Sequence, residues 1–384
     1  MPLSSLLATV ESIAATTVSA EAPGVDTHGH WPEQSIRALQ HAGLGGLVVA
    51  PEFGGHGQGM YGLARACEIL GEVSASTALC YGMHCVGTAV IGAKATTQQQ
   101  EEFLRPIAAG EHLTTLALSE PGTGAHFYFP QTQLLALSES EFQVNGHKSF
   151  VTNGGHADSY VLSTVGVDPD AARDGFSCLV VRQDTAGLEW GPTWQGMGMR
   201  GNSSRSLQLH NSLVPTQYLL GEQGDQLWYI FQVVAPYFLT AMAGTYLGLA
   251  QAAFNEARQH LLERSYRHNG ASLSQNSLLQ HRLGMLWSKI ERTRQLLYHA
   301  TRQGDQGDPN AVLPILSAKA EVGHCCVDVV NEAMTLVGGQ GYKQHSRLEV
   351  LLRDARAVHV MAPTTDILYT WLGRALLGQP LLEE

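Results

Sequence analysis

Apolar side chains recur every three or four residues in the first part of the chain. Ile36 and Leu39 begin one such stripe, and Cys67, Leu70 and Val73 continue the same spacing. This period is typical of helices that bury one face. Residues 1–115 are therefore predicted to form a helical domain.

Residues 116–222 have a different pattern, because apolar and polar residues alternate there in short runs. The clearest runs are residues 160–164, 177–181 and 206–210, and Gly, Asn, Asp and Pro separate them. Alternation with a period of two predicts strands, and these four residue types favour turns. The middle segment is predicted to be a β domain.

The helical period returns in residues 223–384. The positions predicted to share buried helix faces are Phe254, Ala257 and Leu261, then Leu283, Leu286, Trp287 and Ile290, then Val322, Cys326 and Val329. The chain is therefore predicted to have an α+β fold in the order α, β, α.

Composition and charge exclude several classes of partner. The formal net charge is −11 and Lys and Arg form no cluster, which argues against nucleic acid and anionic membranes. No apolar run reaches the roughly 20 residues of a membrane span, and the first basic residue is Arg37, so we expect no signal peptide and a cytoplasmic location. The 6 cysteines lack metal or disulfide spacing, and His28 and His30 have no further ligands nearby in sequence, so no metal is expected.

A glycine motif, GMGMRG at residues 196–201, has the spacing of a dinucleotide-binding fingerprint. That fingerprint requires a helix directly after it, whose N-terminus binds the pyrophosphate. Here the following residues alternate like a strand, which argues against a Rossmann site.

Several blocks of the sequence resemble the acyl-CoA dehydrogenase family. They are LALSEPGTGA at 116–125, FVTNGGHADSYVL at 150–162, QGMGMRGNSSRSLQLHNSLVP at 195–215, and LVGGQGY at 336–342 followed by LLRDAR at 351–356. Their order and spacing match the family over nearly the whole chain. The resemblance implies an N-terminal helical domain, a middle β-barrel domain and a C-terminal four-helix bundle, with boundaries at 1–115, 116–222 and 223–384.

The resemblance also implies FAD as the cofactor. Phe150 would cover the flavin ring where the family usually has Trp, and Thr152 would reach flavin N5. Arg264 and the glycine turn would complete the site of a neighbouring subunit, which implies a homotetramer or homodimer. The cofactor-binding residues that the resemblance implies are Leu118, Ser119, Gly124, Phe150, Val151, Thr152, Arg264, Thr335, Gly338, Gly339, Gly341, Thr364 and Asp366.

The substrate side departs from the family. The glutamate that usually removes the substrate α-proton is replaced by Ala362, and the alternative helix position of that base is Phe238. Neither side chain accepts a proton. Pro236 and Leu239 stand where the family has Asp and Arg for the CoA nucleotide, and Ala125 stands where a serine binds the pantetheine arm. The substrate-binding positions implied are Ala125, Phe238, Leu239 and Ala362.

Replacement bases can be named from the same resemblance. His84 belongs to a segment that lines the family's active-site cavity, while His359 and Asp366 lie in and after the catalytic loop. All three are titratable groups suited to general acid or base catalysis. Structural histidines and a helix cap at Asp366 are the competing interpretations.

Three functions follow as hypotheses. The leading one is an FAD-dependent oxidoreductase that oxidises an acyl or amino-acyl thioester on a carrier protein, because a phosphopantetheine arm without adenine explains the missing Asp and Arg. A flavin-dependent monooxygenase is the second, since it needs no base, and a non-catalytic flavin-binding homologue is the third. The electron acceptor would be a flavoprotein or oxygen. Fold resemblance alone does not separate these functions.

Overall fold

The apolar stripes of the first segment form helices in the computed structural model, which describes residues 1–166, 176–222, 224–225 and 228–382. In chain order the helices are α1 Leu3–Ile13, α2 Ser19–His28, α3 Glu33–His41, α4 Met60–Val73, α5 Ala75–Ala93, α6 Thr97–Gln99 and α7 Arg105–Ala108. Helix α5 is buried along almost its whole length. The predicted helical domain is confirmed.

The middle segment forms one mixed sheet. Its strands are β1 Thr114–Ala117, β2 Gln133–Ala136, β3 Glu141–Val151, β4 Ser159–Gly166, β5 Phe176–Arg182, β6 Leu188–Trp190, β7 Arg205–Pro215 and β8 Leu219–Leu220. They pair in the order β6-β7-β3-β2-β4-β5-β8, and β1 joins β4 in parallel. Within the described part of the chain, no ladder joins β6 to β8, so the strands follow an open path.

The last segment forms a helical bundle. Its helices are α8 Ala235–Glu263, α9 Ser277–Asp305, α10 Val312–Val337, α11 Arg347–Val360 and α12 Thr365–Leu376. A π-helical segment, Tyr229–Val234, leads into α8. The predicted α, β, α order is therefore confirmed.

Two glycines let α8 approach α4 of the N-terminal domain closely. A Cβ atom at Gly244 would come 2.4 Å from the Ala64 carbonyl oxygen, and one at Gly248 would come 2.0 Å from that of Glu68. Any larger residue would force the two helices apart. The N-terminal and C-terminal domains thus share one contact made by helix backbones.

Helix length and mean hydropathy are criteria for a membrane span that tolerate an occasional charged residue, unlike the uninterrupted apolar run sought in the sequence. Two helical stretches meet both criteria, Leu3–His28 and Tyr229–Glu263. In the apolar 18-residue part of the second stretch, 89% is buried within the protein, as in a core helix. In the corresponding part of the first stretch, 28% is buried. Length and composition alone are weak evidence, since core helices and signal sequences also meet them.

The prediction that Trp287 lies on a buried helix face is wrong. Leu286 and Ile290 are buried as expected, whereas 55% of the Trp287 surface is exposed. Its position lies one residue beyond Leu286, so the 3.6-residue period rotates it away from the bundle core.

A buried ion pair holds the loop that follows β1. Lys148 on β3 donates to Glu120 Oε1 at 2.5 Å, and it also donates to the backbone and side-chain oxygens of Ser163 on β4, at 2.6 and 3.1 Å. Glu120 in turn accepts from the backbone N–H groups of Gln131 and Thr132. Burial opposes ionisation of Glu120, but the charge and hydrogen bonds of Lys148 outweigh it and lower the carboxyl pKa.

We expect single substitutions of this pair to destabilise the protein strongly. Lys148→Met or Glu120→Gln should each lower the free energy of unfolding by about 3–5 kcal/mol, because each leaves one buried partner uncompensated. The double variant should lose less than the sum of the two. Urea unfolding of the apoprotein measures both values.

Asp184→Asn is the control, because it removes an exposed ion pair with Arg182 in the same sheet. It should change the unfolding free energy by less than about 1 kcal/mol. Equal effects from the exposed and buried pairs would contradict a structural role for Lys148.

Candidate active site

A cavity of about 650 Å³ lies where the three domains meet. The described residues that line it come from α5, β1 and its loop, the end of β3, the segment before β7, α8 and the end of α11. They are Leu79, Met83, Leu116, Leu118, Ser119, Glu120, Pro121, Gly124, Ala125, Phe127, Ser149, Phe150, Thr152, Trp194, Gly198, Met199, Asn202, Ser204, Val234, Phe238, Ala357, Val360, Met361 and Ala362. Most of these side chains are apolar.

Predicted cofactor and substrate positions meet in this cavity. The flavin-side positions that line it are Leu118, Ser119, Gly124, Phe150 and Thr152. The substrate-side positions that line it are Ala125, Phe238 and Ala362. Segments that are far apart in sequence thus line the same cavity.

Phe150 stands at the rim of the cavity with an unusual backbone. The pairing of β3 with β7 shifts register between Lys148 and Val151, and Phe150 has a φ of 53°. A bulge of this kind re-aims a side chain. Its ring is 65% exposed and meets Trp194 edge to face, with 6.2 Å between ring centroids.

Other predicted positions lie away from the cavity. Val151 and Leu239 are buried in the hydrophobic core, so Leu239 does not occupy a ligand-facing position. Thr364 and Asp366 lie at the start of α12 and are not among the lining residues. The positions expected to serve a neighbouring subunit also lie outside the lining; these are Arg264 after α8, Thr335 in α10, and Gly338, Gly339 and Gly341 in the following turn.

His84 does not line the cavity. It is 1% exposed, with Nε2 3.0 Å from the Gly45 carbonyl oxygen, and the Thr114 N–H donates to Nδ1 at 3.2 Å. Burial lowers the His84 pKa, although the backbone contacts at Gly45 and Thr114 oppose this. The ring therefore connects backbone segments of the N-terminal domain and β1, and its nitrogens are already engaged.

His359 and Asp366 are not placed at the cavity either. His359 Nδ1 lies 2.8 Å from Thr365 Oγ1, and its ring packs against His324. Burial first and the neighbouring His324 second lower the His359 pKa. Asp366 is exposed in the first turn of α12, where a carboxylate complements the helix dipole.

The described lining therefore holds one ionisable side chain, Glu120. Both of its oxygens accept hydrogen bonds, and Lys148 compensates its charge. A carboxylate held in this way is a poor proton acceptor, because protonation would leave the buried ammonium unpaired. Within the described residues, the cavity offers no uncommitted carboxylate or imidazole to a substrate.

The glycine motif of residues 196–201 packs against α11. The Met199 N–H donates to Asp354 Oδ1 at 2.6 Å, and a Cβ at Gly198 would come 2.5 Å from the Arg353 carbonyl oxygen. Arg353 also forms a double hydrogen bond with Asp26 of α2, at 2.8 and 3.0 Å. Burial raises the Asp354 pKa to about 6, against the opposing effect of the Met199 hydrogen bond. The glycines thus serve close packing, and strand β7 follows the motif where a Rossmann fingerprint would have a helix.

Several lining residues were not predicted from the sequence. Trp194, Asn202 and Ser204 bring an indole, an amide and a hydroxyl to the wall. They belong to the block at 195–215 or directly precede it. That block carried part of the family resemblance, but it did not indicate which of its side chains face the cavity.

The residues present fit a flavin. Ser119, Thr152 and Ser204 offer hydroxyl groups, and the exposed Phe150 ring offers an aromatic surface, which matches the needs of an isoalloxazine ring. A Cβ at Gly124 would meet nothing within 4 Å, so the backbone there is open to a ligand. FAD supplies a two-electron acceptor when it is bound.

Comparisons with known proteins agree over the full length. The chain matches the acyl-CoA dehydrogenase N-terminal domain at residues 3–111, the middle domain at 115–212 and the C-terminal domain at 239–377. It is 30% identical to cyclohex-1-ene-1-carbonyl-CoA dehydrogenase of Geobacter metallireducens, over 96% of both chains.

Solved structures show the same fold. Butyryl-CoA dehydrogenase from Megasphaera elsdenii superposes with a TM-score of 0.92 at 24% identity, covering 98% of both chains. The prolyl acyl carrier protein oxidase AnaB superposes with a TM-score of 0.87 at 21% identity, covering 97% of this chain and 98% of its own. The chain belongs to the acyl-CoA dehydrogenase family of FAD-dependent oxidoreductases.

Proposed function

We propose that the protein oxidises an acyl or amino-acyl group that a carrier protein presents as a thioester. One observation carries this proposal. The flavin-side positions of the cavity keep suitable chemistry, while its substrate-side positions Ala125, Phe238 and Ala362 have lost the polar groups that serve a CoA ester.

The cavity favours a substrate group without charge. Leu79, Met83, Phe127, Val234 and Phe238 supply aliphatic and aromatic surface. An ionised group here would have no uncommitted partner among the described lining residues, and burying an unpaired charge is costly. An acyl group that is neutral when bound is therefore the class that we propose.

Delivery by a carrier protein explains why the polar residues expected to bind the CoA nucleotide are absent. A phosphopantetheine arm carries no adenosine, so it needs neither of the polar residues that Pro236 and Leu239 replace. Leu239 is 1% exposed and packs in the core, so it offers nothing to a nucleotide. The fold is compatible with carrier-bound substrates, since the prolyl carrier protein oxidase shares it.

A flavin-dependent monooxygenase is the second candidate. It is favoured because Glu120 is already engaged by the ion pair with Lys148 and by hydrogen bonds. Dehydrogenation of a thioester needs an acceptor for the α-proton, which in the first candidate would be solvent, the carrier protein or a neighbouring subunit, whereas oxygenation through reduced flavin needs none. The cavity offers no uncommitted acceptor among its described residues. The two candidates also differ in electron acceptor, which is a partner flavoprotein in the first and oxygen in the second.

The state of the six cysteines supports a cytoplasmic location as part of this proposal. All six are buried free thiols. Unpaired thiols are typical of reducing compartments.

Flavin reduction separates the two candidates. Under anaerobic conditions, a carrier-bound acyl substrate should bleach the FAD absorbance of the dehydrogenase directly. The monooxygenase should stay oxidised until a separate reductase or dithionite reduces it, and should then form a hydroxylated product when oxygen is admitted. Absorbance together with mass spectrometry of the carrier distinguishes the outcomes, and failure of the protein to bind FAD contradicts both.

Free acyl-CoA esters should be poor substrates. We expect anaerobic flavin bleaching at least about 10²-fold slower than that of a family member with its glutamate, because a general base contributes 10² to 10⁴ in rate. Ala362→Glu should not restore the rate by itself, since the CoA contacts at Ala125 and Pro236 are also absent. Ala362→Gln is the control of equal size without charge.

Stopped-flow absorbance with a panel of straight-chain and branched acyl-CoA esters measures these rates. Rapid bleaching of the wild-type protein by any of them would show that free CoA esters are accepted and would contradict the assignment of a carrier-bound substrate.

The protein should be a homotetramer or homodimer. Leu278, Met285 and Trp287 of α9 are 63, 61 and 55% exposed, and exposed apolar side chains of this size favour an interface. Met285→Asp should lower both the oligomeric mass and the FAD content, if Arg264 and the Gly338 turn complete a neighbouring site. Light scattering with flavin absorbance measures both.

The matched control is Leu213→Asp, which changes an exposed leucine on β7 of the middle domain. It should alter neither the mass nor the flavin content. A wild-type protein that is monomeric and fully loaded with FAD would contradict a site shared between subunits.

A further inference from the structure

Asn153 joins three segments that meet behind the cavity. It is 0% exposed, its Oδ1 accepts from Trp31 Nε1 at 2.9 Å, and its Nδ2 donates to the Cys80 carbonyl oxygen at 2.9 Å. Its backbone N–H donates to the Asn202 carbonyl oxygen at 3.0 Å. One residue of the middle domain is thus hydrogen-bonded to the N-terminal domain and to the loop before β7.

The position requires an asparagine on two grounds. Its φ of 61° is left-handed, a conformation that Asn, Asp and Gly tolerate better than other residues. Its side chain must also accept from an indole and donate to a carbonyl at once, which an amide does. Asp lacks the donor, and Gly lacks both groups.

The bonds of Asn153 bear directly on the cavity wall. Thr152 and Asn202, its covalent and hydrogen-bonded neighbours, both line the cavity. Asn202 Oδ1 accepts from the Ser204 N–H at 3.0 Å, and Ser204 Oγ lies 3.5 Å from Thr152 Oγ1. Two hydroxyl groups of the cavity wall, those of Thr152 and Ser204, therefore belong to one hydrogen-bond network with Asn153.

The other side of this network is firmly packed. The Trp31 ring stacks on His156, with 4.5 Å between centroids and 4° between planes. Cys80 lies on α5, whose Leu79 and Met83 also line the cavity. A shift of Asn153 would therefore move the wall at Thr152 relative to α5.

We propose that Asn153 is a positioning residue for the flavin. Through its bonds to Trp31 and Cys80, it fixes the position of the flavin-binding wall relative to the N-terminal domain. The proposal depends on FAD binding in the cavity and is independent of the substrate. It predicts that loss of the Trp31–Asn153 hydrogen bond changes the environment of bound flavin. A residue that only stabilises the core would leave that environment unchanged.

The test combines two single variants and their double variant. Trp31→Phe removes the indole N–H while keeping an aromatic ring, and Asn153→Gly keeps left-handed backbone freedom while removing the amide. The FAD dissociation constant, the visible circular dichroism of bound flavin and the apoprotein melting temperature are measured for each. We expect Trp31→Phe to raise the dissociation constant about fivefold, the effect of one buried hydrogen bond.

The double variant should bind FAD no more weakly than Asn153→Gly alone, because both single changes remove the same hydrogen bond. Asn211→Gly is the control for the backbone, since Asn211 is a left-handed residue of β7 outside the cavity. Ile290→Val is the control for stability, since it trims a buried side chain of α9. Both controls should keep the wild-type flavin spectrum and affinity.

Wild-type affinity and circular dichroism in Trp31→Phe, together with a lowered apoprotein melting temperature, would overturn the proposal. So would an equal loss of affinity in Ile290→Val. If Asn153→Gly fails to fold, Trp31→Phe still decides the question. Absence of FAD binding by the wild-type protein would instead contradict the cofactor assignment itself.

Discussion

The ion pair between Lys148 and Glu120 is the interaction on which the flavin-facing wall depends. It connects the loop after β1 to β3 and β4, and both sides of that connection line the cavity. A buried charge without its partner is strongly destabilising, so the loop has one stable position. The same pairing keeps Glu120 from acting as a free base. One interaction thus builds the wall and also limits the chemistry available at it.

The cavity lies at the junction of the domains, and polar contacts fix how the domains are positioned against one another. Arg353 joins α11 to Asp26 of α2, and Asp354 holds the Met199 N–H of the loop before β7. Asn153 makes the corresponding contact with the N-terminal domain. Apolar packing brings domains together without fixing their register, whereas directed hydrogen bonds select one arrangement.

The substrate side of the cavity is where the chain is predicted to depart from its family. Ala362 and Phe238, the two positions where the family resemblance predicts a base, both line the cavity. Leu239, by contrast, faces the core. Function resides in the few side chains around the flavin, and the same fold accommodates different substrates when those side chains change.

The sequence by itself determined the α, β, α order and the family motifs, because periodicity and motifs are local properties of the chain. The assignment of Ala362 to the family's glutamate position stays a prediction from those motifs. The tertiary structure decided which side chains face the cavity. The sequence names His84 as a candidate base, but the contacts with Gly45 and Thr114 engage both of its ring nitrogens, and no sequence signal marks Trp194 and Asn202 as lining residues. Burial and hydrogen-bond partners depend on residues far away in sequence, as with Trp31 and Asn153, which are 122 positions apart. Spacing along the chain carries no information about such pairs, so only the folded arrangement shows which groups remain available for chemistry.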